Sequence, residues 1–204
     1  MILVNFKVYP EATGKKGIEL AKICRMVGEK YKVEIYPVVR ALEAYRVKNE
    51  AEVEVYLQEF VEETGGLGIK GSLLNHSDHR LKPGTIRKVL KSWPKGLESV
   101  VCLSTWGQME KWGRKLKPSY FAYEPKELIG NREKSVSSEY SEVIKKMVEL
   151  VAPIPLLVGA GIHCGEDVRI ALRAGAKGIL VATDVVKADN PEKELEELAA
   201  AFSV

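Results

Sequence analysis

Cysteine is scarce in this chain, and the spacing of the few residues present excludes two of its common uses. Three cysteines occur among 204 residues, as Cys24, Cys102 and Cys164. An odd number of widely separated thiols forms neither a disulfide framework nor the paired spacing of a zinc site. No His or Asn pattern around any of them indicates a catalytic thiol. We therefore expect a reduced, intracellular protein that holds no metal.

Long hydrophobic runs and a strong charge of one sign are also missing. No apolar stretch approaches the roughly 18 residues that a membrane span needs. The first residues run directly into a strand-like segment, without the basic region and cleavage site of a signal peptide. The formal net charge is only +3, and basic residues are interleaved with acidic ones. We expect a cytoplasmic protein with neither a membrane nor a nucleic acid as partner.

What the chain does contain is a regular alternation of short aliphatic runs and amphipathic stretches. Eight segments are strand candidates: Ile2–Phe6, Val33–Val38, Val53–Leu57, Ile69–Asn75, Ser99–Ser104, Ser119–Tyr123, Pro155–Gly159 and Gly178–Ala182. Hydrophobic strands separated by helices are typical of a parallel sheet in an α/β protein. Eight such units in about 200 residues favour one closed (β/α)₈ barrel over residues 1–204. An open doubly wound sheet is the alternative, although no Gly-x-Gly-x-x-Gly follows the first strand.

Polar or small residues follow several of these predicted strands. In a barrel of this kind the active site is built at the carboxyl ends of the strands. Lys7 follows the first strand, His76 the fourth and Glu124 the sixth, while the small-residue turns 159–162 and 182–185 follow the last two. A cation, an imidazole and a carboxylate on one rim, beside exposed backbone amides, suit a small anionic substrate.

Each of these residues also has an ordinary structural interpretation. Lys7 fits a surface lysine, His76 a hydrogen-bonded histidine at a strand end, and Glu124 a salt-bridged acid. Gly159 and Gly161 fit a tight strand-to-helix turn. The functional interpretation depends on their combination, because the groups arise at corresponding positions of separate units.

The motifs around these residues resemble triosephosphate isomerase, in particular its short archaeal type, along nearly the whole chain. Each short motif is weak alone, but the set is specific and occurs in the right order: Asn5-Phe6-Lys7 with Glu11-Ala-Thr-Gly14, Leu74-Asn-His-Ser77, Ala122-Tyr-Glu-Pro125 through Gly130, and Val158 to Asp167. The resemblance implies a single TIM barrel.

The resemblance also implies an activity, the interconversion of dihydroxyacetone phosphate and D-glyceraldehyde 3-phosphate through an enediolate. Glu124 would be the base, and His76 the neutral electrophile at the carbonyl. Lys7 would neutralise the substrate and the developing enediolate, with Asn5 orienting it. No metal or organic cofactor is implied, because the chemistry is proton transfer only.

The phosphate of that substrate would be held by backbone amides. The stretch 126–135 would be a lid, with Gly130 offering its N–H. Gly161 and the turn at Thr183 and Asp184 would supply the other amides.

Asp184 departs from the pattern, since archaeal members usually have glycine there. An acid beside a dianionic phosphate is repelled unless its side chain turns away or pairs with a base such as Lys187. This is the strongest reason in the sequence to doubt full activity. The two remaining histidines, His79 and His163, show no partner pattern and receive no role.

Two further departures concern the lid and the lysine. The usual Ile-Gly-Thr-Gly of the lid is Ile129-Gly-Asn-Arg132 here, so one glycine is lost. The usual Glu after the fourth-strand motif is Asp78, one methylene shorter, and we expect it to reach Lys7 less well.

The third unit is unusually short. Between Leu57 and Gly68 there is room for about two helical turns. In the family a long third loop makes most of the dimer interface, and that loop is missing here. We therefore expect a monomer or an atypical oligomer, with a looser site and lower turnover.

Two other functions stay open on the sequence. One is an impaired barrel that binds a phosphate ligand without turnover, which Asp184 and the altered lid favour and the intact trio of Lys7, His76 and Glu124 disfavours. The other is a different phosphosugar isomerase whose substrate tolerates Asp184.

Overall fold

Eight short parallel strands alternate with helices along the chain. The computed structural model describes residues 1–61, 68–129 and 135–203. The strands are β1 (Ile2–Asn5), β2 (Ile35–Val39), β3 (Tyr56–Leu57), β4 (Gly71–Leu74), β5 (Glu98–Leu103), β6 (Tyr120–Tyr123), β7 (Leu156–Gly159) and β8 (Gly178–Val181). The α-helices within these ranges are α1 (Lys15–Tyr31), α2 (Ala41–Ala51), α3 (Pro83–Lys91), α4 (Trp106–Trp112), α5 (Val136–Val151), α6 (Gly165–Arg173), α7 (Thr183–Val186) and α8 (Pro191–Ala200).

The sheet closes on itself. Each strand pairs in parallel with the next, and β1 pairs with both β2 and β8, through Ile2 with Ile35 and Ile2 with Ile179. The predicted (β/α)₈ barrel is confirmed, and the open-sheet alternative is wrong because no strand of this sheet is left at an edge.

Alternation along each strand divides the core into two layers. On β1, Leu3 packs inside the barrel while Ile2 and Val4 pack outward against the helices. The inner layer is small and consists of Leu3, Val38, Tyr56, Leu73, Val100, Cys102, Ala122, Leu157 and Leu180. The outer layer is larger and carries most of the apolar surface removed from water. Because both faces are buried, the strands read as continuous hydrophobic runs.

The third unit is the least regular part. A strand was predicted over Val53–Leu57, but only Tyr56 and Leu57 pair, with Val38 and Val39 on one side and Gly71 and Ser72 on the other. The bounds of a short strand are set by the register of its neighbours, which the sequence does not display. The connection from residue 58 to residue 70 includes residues 62–67, so the predicted tight unit lies partly outside the described residues.

A helix must be both long and apolar to cross a membrane. In the ranges that the structure describes, no helix combines the length and the apolar character that crossing a bilayer requires.

Candidate active site

A cavity opens at the carboxyl ends of the strands. Seven of the eight residues predicted from the sequence line it: Asn5, Lys7, His76, Glu124, Gly161, Thr183 and Asp184. The eighth, Gly130, lies outside the described residues, as do the lid positions Asn131 and Arg132. Parallel strands that end at one rim bring side chains up to 179 positions apart in the chain to one cavity.

Glu124 stands directly after β6 and is only 7% exposed. Its backbone N–H still donates to Leu103 at 2.9 Å, which extends the ladder and fixes the position of Cα. Pro125 then prevents the strand from continuing. Among the described residues, Oε2 of Glu124 has no hydrogen-bond partner. A buried carboxylate oxygen without a partner is costly unless it is used, so this atom is a candidate proton acceptor.

Cys102 lies beside Glu124 inside the barrel. Burial first, and then the charge of Glu124 and a hydrogen bond to it, raise the pKa of the Cys102 thiol well above its ordinary value. The thiol is therefore a neutral neighbour of the carboxylate and not a nucleophile.

His76 is 3% exposed and faces Glu124 across the cavity, with Nε2 3.6 Å from Oε1 of Glu124. Nδ1 accepts from the backbone N–H of Asp78 at 3.3 Å. Nε2 also lies 3.4 Å from the amide nitrogen of Asn5. Because Nδ1 accepts from Asp78, we assign the proton of the neutral ring to Nε2, where it faces the Glu124 oxygen. The Asn5 amide nitrogen is itself a donor, since Oδ1 of Asn5 accepts from Lys7, so it makes no hydrogen bond to a protonated Nε2. This arrangement presents a neutral N–H donor to the cavity.

The turn that carries His76 is fixed by the residue before it. Asn75 has φ of 60°, in the left-handed region that asparagine tolerates better than most residues. Its side chain donates to the carbonyl of Cys102 at 2.8 Å and accepts from the N–H of Leu81 at 3.0 Å. These two bonds secure the end of β4 to β5 and to the following loop.

Lys7 reaches the same cavity from the end of β1. Its Nζ lies 3.2 Å from Oδ2 of Asp78. Asp78 thus contacts Lys7 although its side chain is one methylene shorter than the usual glutamate. Burial would raise the pKa of Asp78, but the charge that His76 carries when it is protonated, the charge of Lys7 and hydrogen bonds from Lys7 and Ser77 outweigh it and lower that pKa.

The turns after β7 and β8 form the opposite side of the cavity. Ala160 and Gly161 have φ of 71° and 70°, two successive left-handed residues, and both line the cavity. Thr183 begins α7, and its hydroxyl lies 3.1 Å from that of Tyr9.

Asp184 also belongs to this turn, and its partner differs from the one suggested by the sequence. Its Oδ1 lies 3.1 Å from Nδ1 of His163. Lys187, the base suggested for that role, instead places its ammonium 4.2 Å from the ring centre of Tyr9. His163 was given no role, and no sequence signal identified it, because the pairing depends on how two turns meet.

One supporting residue could have been found. Gln58 directly follows β3, so the strand-end position that pointed to Lys7, His76 and Glu124 also points to it. It is 4% exposed, and its side-chain amide donates to the carbonyl of Lys7 at 2.8 Å.

In the part of the chain that the structure describes, no three His, Cys, Asp or Glu side chains are grouped closely enough to hold an ion.

A closed α/β barrel with a carboxylate, an imidazole and a lysine at its carboxyl-end rim defines an enzyme of the barrel class whose site suits proton transfer on a small anion. The family model described as triosephosphate isomerase matches residues 1–201. The chain belongs to the triosephosphate isomerase family.

Curated relatives agree with that assignment. The triosephosphate isomerases of Methanosarcina acetivorans and Saccharolobus solfataricus are each 37% identical, over 97% of this chain and 96% and 93% of their own lengths. That of Methanocaldococcus jannaschii is 35% identical over 97% of this chain and 98% of its own length. These archaeal relatives confirm the resemblance to the short archaeal type.

Solved structures with low identity show the fold alone. Orotidine 5′-phosphate decarboxylase from Pyrococcus horikoshii superposes with a TM-score of 0.69 at 16% identity, covering 100% of both chains. A thiamine phosphate pyrophosphorylase from Pyrococcus furiosus gives 0.65 at 16% identity, covering 98% of this chain and 94% of its own.

Proposed function

We propose that Glu124, His76 and Lys7 interconvert dihydroxyacetone phosphate and D-glyceraldehyde 3-phosphate, the reaction of the family to which the chain belongs. The observation that carries this assignment is the position of Glu124. Its carboxylate is buried, one oxygen lacks a partner among the described residues, and the other lies 3.6 Å from His76. A base with these surroundings suits removal of a weakly acidic proton from carbon.

In this proposal Glu124 takes a proton from one carbon of the triose and returns it to the adjacent carbon. His76 donates from Nε2 to the carbonyl oxygen, where negative charge develops in the enediolate, and passes the proton of the neighbouring hydroxyl from one oxygen to the other, so that carbonyl and hydroxyl exchange places. Lys7 places its positive charge beside the same oxygens and the phosphate. Pre-oriented donors of this kind stabilise developing charge more than water does, because they need not reorient during the reaction.

We place the phosphate group at the other side of the cavity, near the backbone amides of Gly161, Thr183 and Asp184. Support comes from the left-handed turn at Ala160 and Gly161, which lines the cavity together with Thr183 and Asp184, because turns of this kind can form anion-binding concavities from backbone N–H groups. The sequence adds Gly130 to this set as a lid amide, and that residue lies outside the described ranges.

The reaction is a proton transfer that involves no oxidation or reduction and no group transfer. We therefore propose that the enzyme needs no cofactor and no metal. We also propose a single domain over residues 1–204 that acts in the cytoplasm and has neither nucleic acid nor membrane as partner.

The oligomeric state is a separate proposal. The stretch that would carry the family's long third loop is short, so we propose a monomer or an oligomer formed through another face. Size-exclusion chromatography with light scattering at low micromolar concentration tests this. A stable dimer would contradict the monomer, and the interface residues identified by cross-linking would then show which face is used.

The catalytic assignment is tested by a coupled assay of triose phosphate isomerisation with the wild type, Glu124→Gln and Glu142→Gln. Glu142 is an exposed acid on α5, so its variant controls for a general charge effect. We expect Glu124→Gln to lose about 10³-fold or more in kcat while Glu142→Gln retains wild-type activity. Activity of Glu124→Gln near that of the wild type would contradict Glu124 as base. A folded wild type without activity would favour a binding module.

A further inference from the structure

Lys7 has a backbone conformation that a lysine does not adopt without support. Its φ is 49°, in the left-handed region where the Cβ of a side chain is crowded by backbone. Such a residue persists only where its surroundings fix it, and strained positions of this kind occur at functional sites.

Two buried side chains hold the peptide groups on either side of Lys7. The N–H of Lys7 donates to Oδ1 of Asn5 at 3.0 Å, and its carbonyl accepts from Nε2 of Gln58 at 2.8 Å. Asn5 is 1% exposed and Gln58 is 4% exposed, so water does not replace either bond easily. Both polar groups of the strained residue are thus satisfied by side chains of this same chain.

Gln58 is itself fixed by the sheet. Its backbone N–H donates to Val39 at 2.9 Å, continuing the ladder between β2 and β3 by one step. Its side-chain nitrogen also lies 3.5 Å from the carbonyl of Val38, which in turn accepts from the N–H of Phe6 at 3.0 Å. The carbonyls of Lys7 and Val38 both accept hydrogen bonds, so the Gln58 side-chain amide must place its nitrogen, and not its oxygen, toward them.

We propose that Gln58 is a positioning residue for the reaction, which holds Lys7 in its left-handed conformation and so places the ammonium group in the cavity. This inference rests on the role proposed above for Lys7. Without the Gln58 donor, the Lys7 carbonyl is left without its bond, and φ relaxes toward the ordinary negative range. The far end of a long side chain then moves away from the substrate and from Asp78.

The Gln58 contact also keeps Lys7 in place in a site whose third unit is short. The end of β3 supplies the support directly, through a residue that immediately follows the strand. Asn5, Gln58 and Asp78 hold the N–H, the carbonyl and the ammonium of Lys7, and all three come from this chain.

The test compares Gln58→Met, which keeps the side-chain volume but removes the donor, with Gln58→Glu, which keeps the shape but cannot donate when ionised. Tyr56→Phe is the matched control: Tyr56 lies on the same strand, is fully buried, and its hydroxyl donates to Glu98, a residue outside the cavity. For each variant kcat, KM and the urea midpoint are measured.

We expect both Gln58 variants to lower kcat/KM by about 10- to 100-fold, mainly through a higher KM, because the charge of Lys7 acts on bound substrate as well as on the enediolate. Tyr56→Phe should lower the urea midpoint and leave KM within about twofold of the wild type. A purely structural role for Gln58 would reduce the amount of folded enzyme and leave KM unchanged.

Lys7→Met separates this inference from the function on which it rests. Loss of activity in Lys7→Met together with wild-type KM in Gln58→Met, or in Gln58→Glu if the methionine variant does not fold, overturns the inference alone. Wild-type kinetics in Lys7→Met overturn the role of Lys7 and the inference with it.

Discussion

Glu124 packs directly against Gly159, the last residue of β7. A Cβ on Gly159 would lie 3.0 Å from Cγ and 3.2 Å from Oε1 of Glu124, and 2.8 Å from the carbonyl oxygen of Leu180. The missing side chain at this position is what leaves room for the carboxylate between two strands.

We therefore expect Gly159→Ala to displace the Glu124 side chain. The new methyl group also meets backbone at Leu180, which cannot move without shifting β8. Activity should fall by about 100-fold, since a misplacement near 1 Å has that effect, and stability should fall by about 1–3 kcal/mol through overpacking.

Gly107→Ala is the control for this substitution. Gly107 lies in α4, and an added Cβ there has no atom within 4 Å. Alanine should stabilise the helix by up to about 1 kcal/mol and leave activity unchanged. Kinetics and urea unfolding of both variants check the prediction. Full activity of Gly159→Ala would contradict the tight packing of Glu124.

Asp184 gives a prediction about substrate affinity. Its carboxylate lines the cavity beside the proposed phosphate position, and its contact with His163 leaves 36% of the side chain exposed. Removing this charge in Asp184→Asn should weaken repulsion of the phosphate by about 1 kcal/mol and lower KM about fivefold, with little change in kcat.

Asp189→Asn serves as the comparison, because Asp189 is exposed and is not among the residues that line the cavity. The difference in KM between Asp184→Asn and the wild type should shrink as salt is added. Equal KM values at low ionic strength would mean that the Asp184 charge does not reach the substrate.

Asp78 gives a prediction about pH and stability. The pKa of Asp78 is lowered from 3.8 in the folded state. A group with a depressed folded pKa stabilises the fold above its unfolded pKa, and that stabilisation is lost as the pH falls through the folded pKa. The side chain is 43% exposed, so solvent screening keeps its contribution below about 1 kcal/mol.

Urea midpoints of the wild type and Asp78→Asn, measured between neutral pH and about pH 3, test this. The wild type should be the more stable protein at neutral pH, and the difference should shrink as the pH falls below 3.8 toward the folded pKa. If the wild type instead became increasingly more stable than Asp78→Asn as the pH falls, the pKa of Asp78 would be raised in the folded state and not lowered.

The cysteines give a prediction about reactivity. Cys24 and Cys102 are almost completely buried, and burial is the main cause that raises the pKa of each thiol. Cys164 is partly exposed. A thiol reagent should therefore modify one thiol in the native protein and three after denaturation.

Cys164→Ser identifies the reactive thiol. The cysteine caps α6, and serine is a better cap, so the fold should be retained. The native reaction should disappear in this variant. Rapid modification of a second thiol in the native wild type would contradict the burial of Cys24 or of Cys102.

The fold was predictable because both faces of every strand are buried, so hydrophobic runs mark the strands without reference to their partners. The positions of Glu124 and His76 were predictable for a related reason: parallel strands end at one rim, and a polar residue there faces the cavity whatever the strand order. Gln58 also directly follows its strand, but it holds the carbonyl of Lys7 and is not among the residues that line that cavity. The third strand was predicted too long, because pairing with β2 and β4, not hydrophobicity, sets its bounds.

The sequence by itself determined the barrel, the family and the set of groups at its rim, because burial and strand direction are repeated locally in every unit. Only the tertiary structure decided how those groups are held. The left-handed conformation of Lys7, its contact with Asp78 71 positions away and the pairing of His163 with Asp184 depend on turns that meet only when the barrel closes. Such contacts join residues with no periodic relation along the chain, so no local pattern encodes them.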